Sequence, residues 1–87
     1  MDKYALRDLR RSYQMARSQA IYRGEEWTLD IDLWMRLWSE DDRYLRKGRA
    51  SDQLSFVRIN PSLGWRPDNV RIETRRRHQR RMRNLDD

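Results

Sequence analysis

Apolar residues near the start of the chain recur at steps of three and four, which is the spacing of one face of an α-helix. The members of this stripe are Leu6, Leu9, Tyr13, Ala16 and Ala20. Most arginines of the same segment fall off the stripe, so we expect them on the solvent side. The pattern predicts a first helix that stops at Gly24, because glycine readily closes a helix.

A second, shorter helix is predicted after that glycine. Thr28 is expected to begin it, because its hydroxyl can accept a hydrogen bond from a free backbone N–H of the first turn. Asp30 would then lie in the first turn, where the helix dipole favours a negative charge. The helix should end near Asp41. Its buried face should consist of Ile31, Leu37, Trp38 and either Leu33 or Trp34.

The middle of the chain predicts a loop and a β-hairpin. Residues 43–53 lack a regular period and predict a basic loop with room for a short helical turn. Residues 54–59 and 70–72 are β-prone and predict two strands. Turn-forming residues at 60–64 and 67–69 separate them.

A third helix is predicted after the hairpin. Thr74 can cap it, and it should span residues 75–84 with Met82 and Leu85 as its apolar contacts. The sequence therefore predicts an α+β fold, with two N-terminal helices packed on a ββα unit. The predicted parts of this single small domain (1–87) are two helices over 1–42, the basic loop over 43–53 and the ββα unit over 54–85.

Length and composition narrow the function classes. Eighty-seven residues suffice for one small domain with a marginal core, to which four Trp and four Tyr contribute strongly. The absence of cysteine and the single histidine exclude disulfides, cysteine nucleophiles, cysteine zinc sites and histidine clusters. Because no apolar run approaches the ~18 residues of a membrane span, we expect a cytoplasmic protein with no membrane partner. The three glycines are isolated, so no glycine-rich phosphate loop is predicted. We also expect no cofactor and no small-molecule substrate.

The charge pattern points to an anionic partner. The net charge is +6, and eighteen of the twenty cationic residues are arginine, whose planar guanidinium grips phosphate with two parallel hydrogen bonds. Segments 1–24, 43–70 and 71–87 each carry a net charge of +4, whereas segment 25–42 carries −6. This pattern favours nucleic acid as the partner over a merely solvated basic surface.

Six arginines fall within nine residues of the predicted final helix. Their mutual repulsion is tolerable if a polyanion neutralises it, and each phosphate contact also releases counterions. The alternative is a frayed, solvated basic tail. The segment also suits a disordered tail that becomes ordered only on its partner. The residues predicted to contact phosphate are Arg58, Arg66, Arg71, Arg75, Arg76, Arg77, Arg80, Arg81 and Arg83.

The acidic segment and the tryptophans have structural and functional interpretations. Helix capping and pairing with basic segments would explain the carboxylates, and core packing would explain Trp34 and Trp38, which are four residues apart. The functional alternative is a docking face for a basic partner protein. Its candidate residues are Asp30, Asp32, Asp41 and Asp42, together with Trp65, which is expected to be exposed because it lies in a turn.

The C-terminal third carries several motifs in a particular order. These are Arg58-Ile59-Asn60-Pro61, Gly64-Trp65, Pro67-Asp68-Asn69-Val70-Arg71-Ile72-Glu73-Thr74 and Arg77-His78. Residues 54–80 thereby resemble the ββα-metal motif of HNH nucleases, and in particular small phage-encoded HNH-like proteins. In that family an asparagine opens the second strand and a histidine follows nine residues later on the helix, which is the separation of Asn69 and His78. The resemblance implies a hairpin and helix that enter a DNA groove.

The chain departs from the HNH pattern at the residues that carry the chemistry. The family needs a divalent metal and a base, usually a histidine at the end of the first strand. Val57 and Arg58 stand at that position, and Met82 stands where a further helix ligand often occurs. The resemblance therefore implies no metal site, no cofactor and no catalytic residues, with Asn69 and His78 as relics. A packing histidine and a simple turn asparagine are the structural alternatives.

These observations predict a small non-enzymatic nucleic-acid-binding protein, with duplex DNA as the favoured partner. The resemblance implies a phage-type accessory role. The alternative is an inhibitor or adaptor that binds a host nucleic-acid machine, such as an RNA polymerase or a defence nuclease. A third interpretation, an active HNH nicking endonuclease, would need a metal ligand that the sequence does not visibly supply.

Overall fold

The computed structural model describes residues 1–85, with side chains described through Asn84. Within this part the chain has three α-helices and one two-stranded antiparallel sheet, which confirms the predicted α+β class. The helices are α1 (Lys3–Tyr22), α2 (Ile31–Ser39) and α3 (Arg75–Leu85), and the strands are β1 (Leu54–Arg58) and β2 (Val70–Thr74). Two 3-10 helices span Glu40–Arg46 and Pro67–Asn69. None of the described helices is long and apolar enough to cross a membrane.

Helix α1 matches its predicted stripe. The buried members are Leu9, Tyr13 and Ala20, and the half-buried members are Leu6 and Ala16. Asp2 is the N-cap of the helix, and its carboxylate accepts a hydrogen bond from Ala5 N at 2.8 Å. Shortly after the helix, Gly24 adopts a left-handed φ of 76°, as expected for a closing glycine.

Helix α2 starts two residues later than predicted. Asp30, not Thr28, is its N-cap, and the Asp30 carboxylate accepts from Leu33 N at 2.8 Å. Thr28 instead pairs with Trp65, to whose carbonyl its backbone N–H donates at 2.9 Å and its hydroxyl at 3.4 Å. Of the two candidates for the core position, Trp34 is buried and Leu33 is half-buried.

A kink lies within the 3-10 helix Glu40–Arg46, directly after α2. Asp41 and Asp42 have left-handed φ angles of 52° and 51°. Aspartate tolerates this conformation better than most residues, because its short polar side chain can bond locally. As a result α2 ends at Ser39 and not at Asp41. The short helical turn allowed in the predicted loop is the second half of the 3-10 helix, residues 43–46.

Aromatic rings form the core where the helices meet the sheet. The ring centre of Trp34 lies 5.8 Å from that of Tyr13 in α1 and 4.5 Å from that of Phe56 in β1. Trp34 Nε1 donates to the Leu9 carbonyl at 3.1 Å. Trp38 is 1% exposed beside it, so Trp34 and Trp38 are core residues. A few large rings thus bury most of the apolar surface available to a small domain.

Helix α3 covers the opposite face of the sheet. Because successive side chains of a strand alternate between faces, Val57 points away from the aromatic core and lies beside Met82 of α3. The Thr74 hydroxyl accepts from Arg77 N at 3.2 Å, which confirms the predicted cap. Met82 is half-buried, whereas the side chain of Leu85 lies outside the described residues.

Gly64 lies where two backbone segments approach closely. A Cβ at this position would be 2.6 Å from Glu26 Cβ and 3.1 Å from the Glu26 carbonyl oxygen. We expect Gly64→Ala to lower the free energy of unfolding by about 1–3 kcal/mol, the usual range for overpacking, in urea denaturation. Leu63→Ala is the control in the same turn, because Leu63 is 43% exposed. It should change stability by less than about 0.5 kcal/mol, and equal effects would contradict the close approach.

Candidate nucleic-acid interface

Strand β2 and helix α3 together present a surface of exposed arginines. Helix α3 turns His78, Arg81 and Met82 inward, which leaves its other side to solvent. We call this surface the arginine face. It consists of Arg71, Arg75, Arg76, Arg77, Arg80 and Arg83, all of which are exposed.

An open groove of about 600 Å³ lies between β2 and α3. Arg71 lines it from the strand, and Arg77 and Arg80 line it from the helix. Within residues 1–85, no residue of the arginine face forms an ion pair. Arg76 makes one long contact, at 3.5 Å, with Ser51 Oγ. The guanidinium donors of this groove are therefore available to phosphate oxygens.

The amides at the N-terminus of α3 are occupied by the chain itself. Arg75 N donates to Gln53 O at 3.2 Å, and Arg76 N donates to Ser51 O at 3.0 Å. The Thr74 hydroxyl accepts from the next amide. An anion at this surface would therefore be held by side-chain guanidinium groups and not by the helix terminus.

Arg58 and Arg66, which were expected to contact phosphate, are bound to carboxylates that follow α1. Arg58 Nη2 donates to Glu25 Oε2 at 3.0 Å, and its guanidinium lies 5.1 Å from the ring centre of Trp65. Arg66 pairs with Glu26, whose hydrogen bond and charge raise the pKa of Arg66 above its ordinary value. These two guanidinium groups already have counterions, so their predicted phosphate contacts would compete with carboxylates of the chain.

Arg81, which was also expected to contact phosphate, is directed inward and is engaged by groups of the chain itself. It pairs with Glu73 and donates to the backbone carbonyls of Arg58 and Ile59. His78 Nδ1 lies 3.3 Å from both Glu73 Oε1 and Arg81 Nη2. Two buried atoms without a partner, Glu73 Oε2 and Arg81 Nε, belong to the same ion pair, so a second hydrogen bond within that pair would satisfy both. This cluster fastens α3 to the hairpin.

Glu73 is the site residue that sequence reasoning missed. A glutamate in a short strand suggests a solvent-facing position, but Glu73 is only 5% exposed. A useful signal was its spacing from two basic residues. His78 and Arg81 follow five and eight positions later, on the helix that folds back over the strand.

A cleft of about 190 Å³ between β1 and α3 brings together the residues at which the chain departs from the HNH pattern. Val57 and Arg58 line it from the strand, and His78 and Met82 line it from the helix. Chemically it offers one imidazole and one thioether, since a guanidinium has no lone pair to give a cation. Among the described residues, no three His, Cys, Asp or Glu side chains are placed to hold a metal ion.

Asn69 holds the turn between the two strands. Its Oδ1 accepts from Asn60 N at 2.9 Å, and its Nδ2 donates to the carbonyls of Asn60 at 3.0 Å and Gly64 at 2.8 Å. The residue is 4% exposed. Asn69 therefore stitches the turn through its side chain and has no surface with which to contact a partner.

Trp65 is half-buried, which corrects the expectation of an exposed aromatic. Its Nε1 donates to Glu25 Oε1 at 3.1 Å. Its ring stacks on Phe56 with centres 6.3 Å apart and lies 5.7 Å from the ring centre of Trp27. The turn position was misleading because the segment after α1 closes over it.

The four candidate docking aspartates fall into two pairs at opposite ends of α2. Asp30 caps α2 and Asp32 lies in its first turn, whereas Asp41 and Asp42 lie beyond its other end. The nine residues of α2 separate the two pairs by about 14 Å. For Asp30 the structure shows the capping role that the sequence left open.

Removal of the Asn69 side chain should destabilise the hairpin. Asn69→Ala removes three part-buried hydrogen bonds to the turn, and only the Asn60 carbonyl keeps another partner, Leu63 N. We therefore expect the free energy of unfolding to fall by about 2–4 kcal/mol in urea denaturation. Asn84→Ala is the matched control, because Asn84 is exposed on α3. A change below about 0.5 kcal/mol for Asn69→Ala would contradict the stitching role.

Comparisons of the chain with known protein families, curated proteins and solved structures find no match. The candidate interface is therefore interpreted from its own chemistry. It is a set of exposed guanidinium groups on one strand and one helix, which an inward ion pair holds together.

Proposed function

We propose that the protein binds nucleic acid, without catalysing a reaction on it, through the arginine face. The observation that carries this proposal is the division of the arginines into two groups. Arg58, Arg66 and Arg81 are neutralised by carboxylates of the chain. The six arginines of the face have no such partner within the described residues. Unpaired guanidinium groups concentrated on one surface suit a polyanion.

Repulsion within α3 favours a polyanion over a merely solvated surface. Arg76, Arg80 and Arg83 follow one another at spacings of four and three, and like charges at these spacings destabilise a helix. Bound phosphates would remove that repulsion and release counterions. The eleven residues of α3 extend about 16 Å, a length along which duplex DNA presents several phosphates. Contacts of this kind position a protein without reading the base sequence.

The hairpin and α3 further support a degenerate HNH-like unit. A two-stranded hairpin is followed directly by a helix, Asn69 stitches the turn, and His78 lies on the helix nine residues later. Val57 and Arg58 line the cleft beside His78, which supports the loss of the first-strand ligands. A non-enzymatic, phage-type accessory role is the function that this resemblance implies.

A second candidate function is an inhibitor or adaptor of a host nucleic-acid-processing protein. Asp41 and Asp42 favour it, because both are exposed and neither forms an ion pair within the described residues. Leu45, on the same 3-10 helix, is 70% exposed and would add apolar contact area. A basic surface on the host protein would complement the carboxylates of Asp41 and Asp42.

Charge reversal on the arginine face should abolish most nucleic-acid binding. Arg77→Glu combined with Arg80→Glu removes two phosphate contacts and adds repulsion, so we expect affinity for a fluorescent duplex to fall more than about tenfold. The measurement is fluorescence anisotropy with duplex DNA, single-stranded DNA and RNA at about 50 and about 200 mM salt. The unmodified protein should lose orders of magnitude in affinity over that range, and the double variant should show a shallower salt dependence.

Arg10→Glu combined with Arg17→Glu is the matched control, because it makes the same charge change at exposed positions of α1. It should retain most of the binding. Equal losses in the two double variants would mean that net charge, and not the arginine face, determines binding. A variant that combines Asp32→Lys, Asp41→Lys and Asp42→Lys should retain nucleic-acid binding. If the protein is instead an inhibitor or adaptor of a host protein, the same variant should lose the complex with that protein.

The cleft beside His78 should not support phosphodiester cleavage. We expect no product from a single-turnover nicking assay on supercoiled DNA with magnesium, manganese, nickel or zinc. The physical reason is the lining of the cleft, which offers too few hard ligands for a metal that acts on phosphate. Nicking that disappears in His78→Ala would overturn the non-enzymatic proposal.

A further inference from the structure

A second groove, of about 540 Å³, runs between α1 and β1. It shares no lining residue with the arginine-lined groove between β2 and α3. Met15 and Ala16 line it from α1, and Leu54 and Phe56 line it from β1. Met15 is 52% exposed, so part of this apolar lining is open to solvent.

The open edge of β1 forms one side of this groove. Ile59 N donates to Asn69 O at 2.8 Å, and in an antiparallel pair this places the amide and carbonyl of Phe56 on the edge away from β2. The chain covers that edge at Leu54, whose carbonyl accepts from Gly48 N at 3.0 Å. Within the described residues no third strand continues along it past Leu54. Unpaired backbone groups on an edge strand are a template for an added strand.

The rim of the groove is cationic. Arg11 contributes from α1, and Lys47 and Arg49 contribute from the segment before β1. Within residues 1–85 none of the three forms an ion pair, and Asp8 is the one carboxylate on the lining. The groove therefore complements an occupant that carries negative charge and some apolar surface.

The aromatic rings of the lining argue against a nucleic acid as that occupant. Trp34 and Trp38 are 3% and 1% exposed, so neither offers a ring face on which a base could stack. The half-buried ring of Phe56 packs against Trp34 at 4.5 Å and Trp65 at 6.3 Å between ring centres. A flexible thioether such as that of Met15 instead suits an aliphatic side chain. An extended peptide supplies alternating side chains together with backbone groups for the strand edge.

We propose that the groove between α1 and the open edge of β1 binds an extended acidic segment of a partner protein as an added strand. The backbone of Phe56 would pair with the segment. Arg11, Lys47 and Arg49 would contact its carboxylates, and Met15 would contact an apolar side chain two positions from an acidic residue, on the same face of the added strand. This interaction is independent of the arginine face.

The test uses the full chain labelled with ¹⁵N and a blocked heptapeptide in which pairs of aspartates alternate with pairs of valines, so that each face of the extended peptide carries both side chains. We expect the peptide to shift the amide resonances of Gly48 and Phe56 and to slow hydrogen exchange at the Phe56 amide by about tenfold or more. A peptide with lysine at the acidic positions should leave both unchanged. Arg77→Glu with Arg80→Glu should not alter peptide binding.

Two variants test the groove itself. Met15→Glu and Arg49→Glu each place a negative charge on its lining at an exposed position, so each should weaken peptide binding by about tenfold or more. Tyr22→Glu is the control, because Tyr22 is 93% exposed on α1 and lies outside the groove. Thermal melts followed by circular dichroism confirm that each variant is folded.

Three results would overturn the proposal. The first is no protection of the Phe56 amide at about 1 mM peptide, a concentration that reveals even weak specific binding. The second is equal binding by the Met15→Glu, Arg49→Glu and Tyr22→Glu proteins. The third is stronger protection of Phe56 by an oligo-dT strand than by the acidic peptide, which would assign the groove to nucleic acid.

Discussion

The pairing of Glu26 and Thr28 with Trp65 fixes the helices relative to the hairpin. Trp65 N donates to Glu26 O at 2.8 Å, and Thr28 N donates to Trp65 O at 2.9 Å, so the segment after α1 runs beside the turn between the strands. Side chains reinforce the same junction, because Glu25 accepts from both Arg58 and Trp65. Backbone and side-chain hydrogen bonds thus act together at this junction, and the aromatic core packs against it through Trp27, Trp65 and Phe56.

Local patterns predicted more of the fold than of the site. Helix α1, the two strands and the Thr74 cap depend on residues within a few positions of one another, which a sequence displays directly. The start of α2 was mispredicted because the group that occupies Thr28 is Trp65, 37 residues away. Arg58 and Arg77 are likewise both arginines, but Arg58 is paired and Arg77 belongs to the arginine face. The partner of Arg58 is the carboxylate of Glu25, which is 33 residues away. No local pattern carries that information.

Helix α3 is attached by polar more than by apolar contacts. Its inward side carries His78, Arg81 and Met82, and its central contact is the ion pair of Arg81 with the buried Glu73. The desolvation of such a pair offsets much of its attraction, so the pair contributes little net stability even though breaking it would be costly. The exposed arginines on the outward side of α3 repel one another and oppose the helix further. A ligand that binds the helix only when it is docked would therefore also stabilise its docking.

The tryptophans form one cluster, with Trp27 6.5 Å from Trp34 and 5.7 Å from Trp65, and Trp34 6.1 Å from Trp38. Rings this close to one another share one environment, so their emission reports mainly on the shared core. Helix α3 contains neither tryptophan nor tyrosine. Trp65 lines the cleft beside His78 and Met82, so intrinsic fluorescence senses this helix through one ring of the cluster. The helix could unwind while most of the optical signal of a folded core persists, and a probe of the backbone would register that loss directly.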